Sequence, residues 1–474
     1  MAVYKISGNK ELFGTVEISA AKNAVLPVIF CSILTSECLV IENVPLISDV
    51  ICALEIISEL GGSYDWAGDT LKIYGGTMHA SRITEPAERM RASILCLGPM
   101  LARFGSVQLA LPGGCRIGAR PVDLHIKGLS AMGAEIKIEQ GILKASANGL
   151  KGGEICLDFP SVGATENLMM ASCLADGETV IVNAAQEPEV CDLARLLIKM
   201  GADIRGAGED TLYIKGTAGL HGTRHTPIPD RIEAGTFMTC AAACGGEVRL
   251  KRLCPAHLKA VSSKLMECGA IITELEDELI IRREGELKAA DVRSLPYPGF
   301  PTDLQSQFAA LACSAKGTSV IVDTVFEGRN NHVPELLRMG ADIMQQEQAT
   351  IVRGGGLLGG AAVNAPDLRA GAALIIAGLS AKEGAIVEDC GHIDRGYYRL
   401  CEKLKAIGAG IERLEEGEQG SSKQGRGGVG GRRPPGRAGR PGPRQAQACP
   451  TPPRPCFALP CSLFFGKAIF KISH

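Results

Sequence analysis

Along this chain, Ala/Leu/Cys-rich runs with helical spacing alternate with short β-branched stretches, and the junctions between them recur. A helical pattern ends on an apolar residue, then Gly-Ala or Gly-Gly, then a strand, at Leu60-Gly61-Gly62, Met132-Gly133-Ala134-Glu135-Ile136 and Met200-Gly201-Ala202-Asp203-Ile204. The same junction returns at Cys268-Gly269-Ala270-Ile271-Ile272, Met339-Gly340-Ala341-Asp342-Ile343 and Ile407-Gly408-Ala409-Gly410-Ile411. The six glycines are 72, 68, 68, 71 and 68 residues apart, a regularity that marks an internal repeat. Glycine suits the place because a helix commonly ends on a residue in the left-handed conformation, which a Cβ disfavours.

A second junction supports the first. Gly105-Ser106-Val107, Gly177-Glu178-Thr179-Val180, Gly246-Glu247-Val248, Gly317-Thr318-Ser319-Val320 and Gly384-Ala385-Ile386-Val387 each follow a helical run and open a β-branched strand. One unit therefore reads as helix, strand, helix, glycine turn and two strands. Six units predict two pseudo-symmetric domains of three units each, with the first strand of the chain able to complete the second domain.

Size and composition agree. A chain of 474 residues, 46% hydrophobic and 22% charged, is long enough for more than one core, since single cores stop growing near ~250–300 residues. The start, MAVYKISGNKELFG, has no basic segment followed by an apolar run, and no later stretch approaches the ~20 apolar residues that span a bilayer. A soluble, cytoplasmic protein is expected. The 18 cysteines are scattered through apolar stretches such as Ile51-Cys52-Ala53-Leu54, so they read as buried thiols rather than a disulfide framework. There is no Cys-x-x-Cys pair, and Cys240 with Cys244 falls in a helical apolar pattern, so no metal site is expected.

Charge divides the chain. From residue 1 to 418 there are 40 Lys+Arg against 52 Asp+Glu, a net of −12, whereas from 419 onward there are ten Lys/Arg and no acid. Residues 419–474 are rich in Gly, Pro and Arg as far as Arg444, a composition expected to be disordered. Such a tail reads either as a basic arm for nucleic acid or as an appended C-terminus; the second fits better, because the repeat closes just before it, and no nucleic-acid partner is expected.

The repeat also places polar residues at equivalent points. First helices begin near Lys22-Asn23, Arg91, Ser161-Val162-Gly163, Arg231-Ile232-Glu233, Thr302-Asp303 and Asp367-Leu368-Arg369, and the loops before second helices carry Arg120, Glu187, Arg329 and Arg395. Helix N-termini with free N–H groups and partial positive charge suit phosphate. Because the repeat region is net acidic, an anionic ligand would need a local concentration of cations, which Lys22, Arg91, Arg120, Arg329, Arg369 and Arg395 supply if they converge. Gly354-x-Gly356-x-x-Gly359 matches a dinucleotide fingerprint in letters but leads to a strand pattern ending at Pro366, so it reads as a turn. The segment Leu111-Pro112-Gly113-Gly114-Cys115-Arg116-Ile117-Gly118-Ala119-Arg120 reads either as a reactive-cysteine loop, its arginines favouring thiolate, or as a surface thiol in a flexible turn.

That loop belongs to a larger set. Together with Ala21-Lys22-Asn23-Ala24, Arg91-Ala92-Ser93, Ser161-Val162-Gly163-Ala164-Thr165, Phe300-Pro301-Thr302-Asp303, Val325-Phe326-Glu327-Gly328-Arg329, Asp367-Leu368-Arg369 and His392-Ile393-Asp394-Arg395-Gly396, it resembles the UDP-N-acetylglucosamine 1-carboxyvinyltransferase family of the EPSP synthase superfamily, collinearly from about Lys5 to Arg413. The resemblance implies an α/β fold, the inverse α/β prism, with two domains of three βαβαββ-type repeats: residues 20–228 carrying the Cys115 loop, residues 1–19 with 229–418, and the tail from 419. It implies transfer of the enolpyruvyl group of phosphoenolpyruvate to the 3-hydroxyl of UDP-N-acetylglucosamine with loss of phosphate, the committing step of peptidoglycan precursor synthesis. No cofactor is implied, and the partners are these two small molecules, with no membrane.

By the same resemblance, Lys22, Arg120 and Arg395 would hold the phosphate, Arg329 and Arg369 the carboxylate, and Asn23 would orient the sugar hydroxyl. Arg91, the run Arg120, Pro121, Val122, Asp123, Leu124, then Ser161, Val162, Gly163, Asp303 and Val325 would contact the nucleotide sugar. Asp303, which could also be a plain N-cap, would take the hydroxyl proton, and Cys115 would protonate C3, form a covalent phosphoenolpyruvate adduct and react with fosfomycin. Two other readings stand beside this one: a non-catalytic UDP-sugar-binding paralogue, and an enolpyruvylshikimate phosphate synthase-type enzyme, a family that lacks the Pro-Gly-Gly-Cys loop. Ala20-Ala21 stands where relatives usually have a Gly before the Lys.

Overall fold

The computed structural model describes residues 2–113, 122–326 and 328–415. The expected lid residues Cys115, Arg120 and Pro121 and the tail from residue 419 lie outside them.

All six repeat glycines take positive φ, between +84° and +103°; the first five each close a helix that runs into a two-stranded hairpin, and Gly408 leads into the single strand Gly410–Glu415, which pairs with Ala2–Ser7. Every sheet among the described residues has four strands. In the third unit, for example, Glu154–Cys156 runs parallel to Glu178–Val182, which pairs antiparallel with Thr211–Lys215 and through it with Asp203–Arg205. The second, third and fifth units show this βαβαββ order within one stretch of chain; the first and fourth take their parallel strand, and the sixth one antiparallel strand, from elsewhere in the chain. The glycine-rich segment matching a dinucleotide fingerprint joins strand Ala349–Gly354 to strand Ala361–Asn364 and opens no helix.

The helices lie inside and the sheets outside. Helix Leu368–Ser380 is buried at every position, and it packs with Arg231–Cys244 and Gln305–Ser314. Apolar residues on all faces are what such an inner helix requires. Two separate apolar cores result. One draws on residues from Ala20 to Leu220, the other on Ala2 to Ile18 together with Ile232 to Ile411. Most described cysteines are buried or half-buried in these cores; Cys156 is a departure from the expected pattern, exposed on a short opening strand where alternate residues face out.

Several strands close rings far apart in sequence. Arg224–His225 pairs parallel with Cys38–Ile41, Leu12–Glu17 pairs parallel with Gly246–Lys251, and Ala2–Ser7 lies between Ala385–Glu388 and Gly410–Glu415. The chain passes between the two cores at two adjoining points. There Ala21 N–H donates to Ile228 O (2.8 Å), Asp230 N–H donates to Ser19 O (2.8 Å), and Ala20 bridges Pro229. Asp230 caps helix Arg231–Cys244 through Ile232 N (2.7 Å) and Glu233 N (3.0 Å), and its other oxygen accepts from Lys22 N (3.4 Å). Lys403 Nζ pins the same crossing, 2.6 Å from both Ser19 Oγ and Glu233 Oε1. Among the described residues no helix is long and apolar enough to cross a membrane.

Candidate functional site

Two carboxylates gather four of the six cations singled out by the repeat. Asp303 sits in the 3-10 turn Thr302–Leu304 that leads into helix Gln305–Ser314. Its Oδ1 accepts from Arg329 Nη1 at 2.5 Å, and its Oδ2 accepts from Arg369 Nη2 at 2.7 Å and Nε at 3.2 Å. Burial raises the carboxyl's proton affinity, but the Arg369 and Arg329 guanidiniums outweigh it and hold Asp303 well below the usual carboxylate range.

Each arginine is set by its neighbours. Arg329 Nη1 also donates to Thr302 Oγ1 (3.0 Å), whose own hydrogen bond goes to Asp323 Oδ2 (2.6 Å). Asp323 Oδ1 in turn accepts from the amides of Val325 (2.9 Å) and Phe326 (3.2 Å), which fixes the Val325 turn beside Asp303. Arg369 opens helix Leu368–Ser380 behind the N-cap Asp367, and its guanidinium lies 5.4 Å from the ring centroid of Tyr397. The Tyr397 hydroxyl is itself held by Thr236 Oγ1 (2.9 Å) and Gln307 Nε2 (3.2 Å).

The second centre is Asp49, in the first turn of helix Ser48–Glu59 and 4% exposed. Lys22 Nζ lies 2.7 Å from Asp49 Oδ2; Arg395 Nε donates to Oδ1 at 2.9 Å and Nη2 to Oδ2 at 3.4 Å. Burial opposes ionisation here too, yet Lys22 and Arg395 bring the carboxyl below its ordinary value. Lys22 comes from the first turn of helix Lys22–Cys31 in the first core, Arg395 from the turn Cys390–Arg395 on the second.

Asp230 joins the two centres: it accepts from the Lys22 amide and acts electrostatically on Arg369. Gly396 shows how tightly they pack, because a Cβ there would lie 2.7 Å from Leu368 Cδ2 and 3.3 Å from Lys22 Cδ. A larger residue there would force the Leu368 side chain to shift.

Among the expected nucleotide-sugar residues, Ser161 to Gly163 and Val122 to Leu124 fall at two adjacent helix starts. Ser161 caps helix Val162–Ser172 through Ala164 N (3.4 Å), and Val122 precedes helix Asp123–Ala131, which packs against it. His125, one turn into the second helix, lies against Gly163 and accepts from Asn167 Nδ2 at 3.0 Å. Burial, with help from Arg91, pushes its imidazole down to about 3, so it is neutral at physiological pH. Arg91 begins the 3-10 segment Arg91–Cys96, and Asn23 follows Lys22, half-buried. Leu124 is partly buried against the first core.

A third cluster borders this region. Arg231 donates through Nε to Glu189 Oε1 (3.0 Å) and Oε2 (3.2 Å), and Tyr297 N–H donates to Glu187 Oε1 (3.3 Å), so both acids of the first core grip the second. Glu166 lies behind them, its Oε1 with no hydrogen-bond partner among the described residues, and burial, reinforced by Glu189 and Glu187, pushes its carboxyl well up.

The repeat pointed to Lys22, Arg329, Arg369 and Arg395 but not to Asp49, Asp230, Glu189 or Tyr397. Asp49 had a signal: it starts the second helix of the first unit, the place held by Arg329 and Arg395 in later units. Tyr397 and Glu189 had none, since their roles arise from contacts between elements distant in sequence.

Comparison with known proteins gives a consistent answer. The family model described as EPSP synthase (3-phosphoshikimate 1-carboxyvinyltransferase) matches residues 6–404. UDP-N-acetylglucosamine 1-carboxyvinyltransferase 1 of Caldanaerobacter subterraneus is 49% identical over 410 residues, covering 86% of this chain and 99% of that protein. UDP-N-acetylglucosamine 1-carboxyvinyltransferase 2 of Clostridium tetani is 48% identical over 412 residues, 86% of this chain and 99% of the relative. Among solved structures, the enolpyruvyl transferase NikO of Streptomyces tendae superposes with a TM-score of 0.78 at 24% identity, over 87% of this chain and 98% of that one. EPSP synthase of Acinetobacter baumannii gives 0.69 at 19%, over 88% and 100%. These two share the fold, the inverse α/β prism. On sequence, with nearly half its residues identical across the full length of such relatives, the chain belongs to the UDP-N-acetylglucosamine 1-carboxyvinyltransferase family.

Proposed function

We propose that this protein transfers the enolpyruvyl group of phosphoenolpyruvate to the 3-hydroxyl of UDP-N-acetylglucosamine, releasing phosphate, in peptidoglycan precursor synthesis. The observation that carries the reading is the gathering of Lys22, Arg395, Arg329 and Arg369 around two carboxylates joined by Asp230. A small substrate with a phosphate at one end and a carboxylate at the other matches two such cation pairs. Residues 20–228 form one lobe, and residues 1–19 with 229–418 the other; the separate cores and the double crossing support that division.

Lys22 and Arg395, joined by Arg120, hold the phosphate, and the planar forks of Arg329 and Arg369 hold the carboxylate. The helix starts at Ser161–Gly163 and Val122–Leu124, with Arg91, Arg120 and Pro121, take the nucleotide sugar, while Asn23, Asp303 and Val325 border its reacting hydroxyl. Asp303 removes the hydroxyl proton as the oxygen attacks C2 and Cys115 delivers a proton to C3; phosphate then leaves from the tetrahedral intermediate as a proton is lost again from C3, which restores the C2–C3 double bond of the enolpyruvyl group. A carboxylate clamped by two guanidiniums is a weak base. Binding of the substrate carboxylate to Arg329 and Arg369 draws those donors from Asp303 and makes it more basic when the hydroxyl is in place.

The test is phosphate release from phosphoenolpyruvate by purified protein, full length and ending at residue 418. Strict dependence on UDP-N-acetylglucosamine is expected. Release driven by shikimate 3-phosphate instead, or UDP-sugar binding with no release from either protein, would replace this reading.

A further inference from the structure

The pairing of Asp49 leads beyond the residues already assigned, and it rests on Lys22 and Arg395 being the phosphate-binding cations. Arg395 turns its Nε–Nη2 edge to Asp49, the edge with which a guanidinium grips an oxyanion through two parallel bonds. Lys22 gives its ammonium to the same carboxylate at 2.7 Å. A phosphate bound by these two cations would share their charge with Asp49 and, on the Nε–Nη2 edge of Arg395, would compete for the donors that Asp49 holds.

Asp49 is well placed to compete. It is nearly buried on a helix of the first core, and its neighbour Ser48 donates to Asp394 O (3.5 Å) in the opposite turn, so the carboxylate stays aimed at Arg395. The nearby Arg89 is paired with Glu55 and offers Arg395 only its carbonyl oxygen. Among the described contacts, Asp49 is thus one fixed anion shared by two cations. We propose that Asp49 is a positioning residue that competes with phosphate for Lys22 and Arg395, holding the two cations together across the lobes and weakening the grip on inorganic phosphate so that the product leaves.

Inorganic phosphate is the probe, used with full-length protein: its affinity by calorimetry and its inhibition constant against phosphoenolpyruvate. Asp49→Asn keeps the shape and removes the charge, and is expected to bind phosphate roughly tenfold more tightly, the size of one screened charge interaction. Asp49→Glu should return toward wild-type affinity, and Lys22→Met should bind phosphate more weakly. Unchanged or weaker phosphate binding in Asp49→Asn, with Lys22→Met still weakened, overturns the competition while leaving the phosphate assignment intact. If Lys22→Met binds phosphate as the wild type does, the assignment itself fails and takes the proposal with it. A measurement without variants adds an independent arm: in crystals of the wild type grown with phosphate, Arg395 should have given up its bond to Asp49 Oδ1, and phosphate bound beside an intact Arg395–Asp49 pair would count against the competition.

Discussion

Asp303 and Asp49 are built alike, each a carboxylate between two cations, yet they differ in where the cations come from. Arg329 and Arg369 both belong to the second core with Asp303, so that triad is assembled by the folding of one lobe. Asp49 and Lys22 belong to the first core and Arg395 to the second, so this triad exists only where the lobes meet. On the proposed assignment, the carboxylate end of the substrate would meet a seat built within one core, and the phosphate end a seat built from both. Such an asymmetry would commit binding energy to holding the two cores together at the end where the leaving group departs.

The comparison can be broken most directly at the reacting step. Asp303→Asn should lower kcat by about 100- to 10,000-fold, the usual range for a lost general base, with steady-state kinetics as the check; an equal loss in Asp49→Asn would erase the distinction. Stability should separate the two as well. Both carboxyls ionise below their ordinary values, so each adds stability above the unfolded value of ~4 and loses it as pH falls through the folded value. Urea unfolding at pH 7 should find Asp303→Asn about 3 kcal/mol and Asp49→Asn about 1.5 kcal/mol below wild type. Both gaps should narrow below pH ~4; gaps that persist there would point to lost packing instead.

Smaller changes sharpen the picture. Tyr397→Phe removes the hydroxyl bonded to Thr236 and Gln307 behind Arg369. Its expected cost is about 1 kcal/mol, read as a roughly fivefold rise in KM for phosphoenolpyruvate with kcat little changed. Phosphate affinity, reporting on the Asp49 side, should stay as it was. Least of all, Gly340→Ala acts on a turn at φ +84° with open space around it, costing about 1–2 kcal/mol of stability and leaving both substrate ends untouched.

How far this could be read from sequence follows from the range of the interactions. The glycine turns and helix starts were legible because a left-handed residue after each second helix is a local demand, repeated six times at nearly constant spacing. Lys22, Arg329, Arg369 and Arg395 followed, since equivalent positions in equivalent units face the same way. Their partners did not follow. Asp49 carried only its place at the start of a second helix, Glu189 looks like any acid behind a proline at the first helical position, and only the meeting of the two cores gives them Arg395 and Arg231. The same limit hid Tyr397, whose value lies in touching Arg369 from another element.

The way the second ring of sheets is closed has a consequence for the order of events on the ribosome. Strands Ala2–Ser7 and Leu12–Glu17 are made first, yet their partners Gly246–Lys251, Ala385–Glu388 and Gly410–Glu415 are made much later. The first lobe finds its last strand, Arg224–His225, when a little less than half of the chain exists, and Leu12–Glu17 meets Gly246–Lys251 soon after, whereas Ala2–Ser7 must wait, edge-exposed, for partners that begin at Ala385. A nascent chain therefore carries a sticky leading end for most of its birth. The two neighbouring crossings at Ser19 and Asp230 then bring that end back to the lobe it completes, once its later partners emerge.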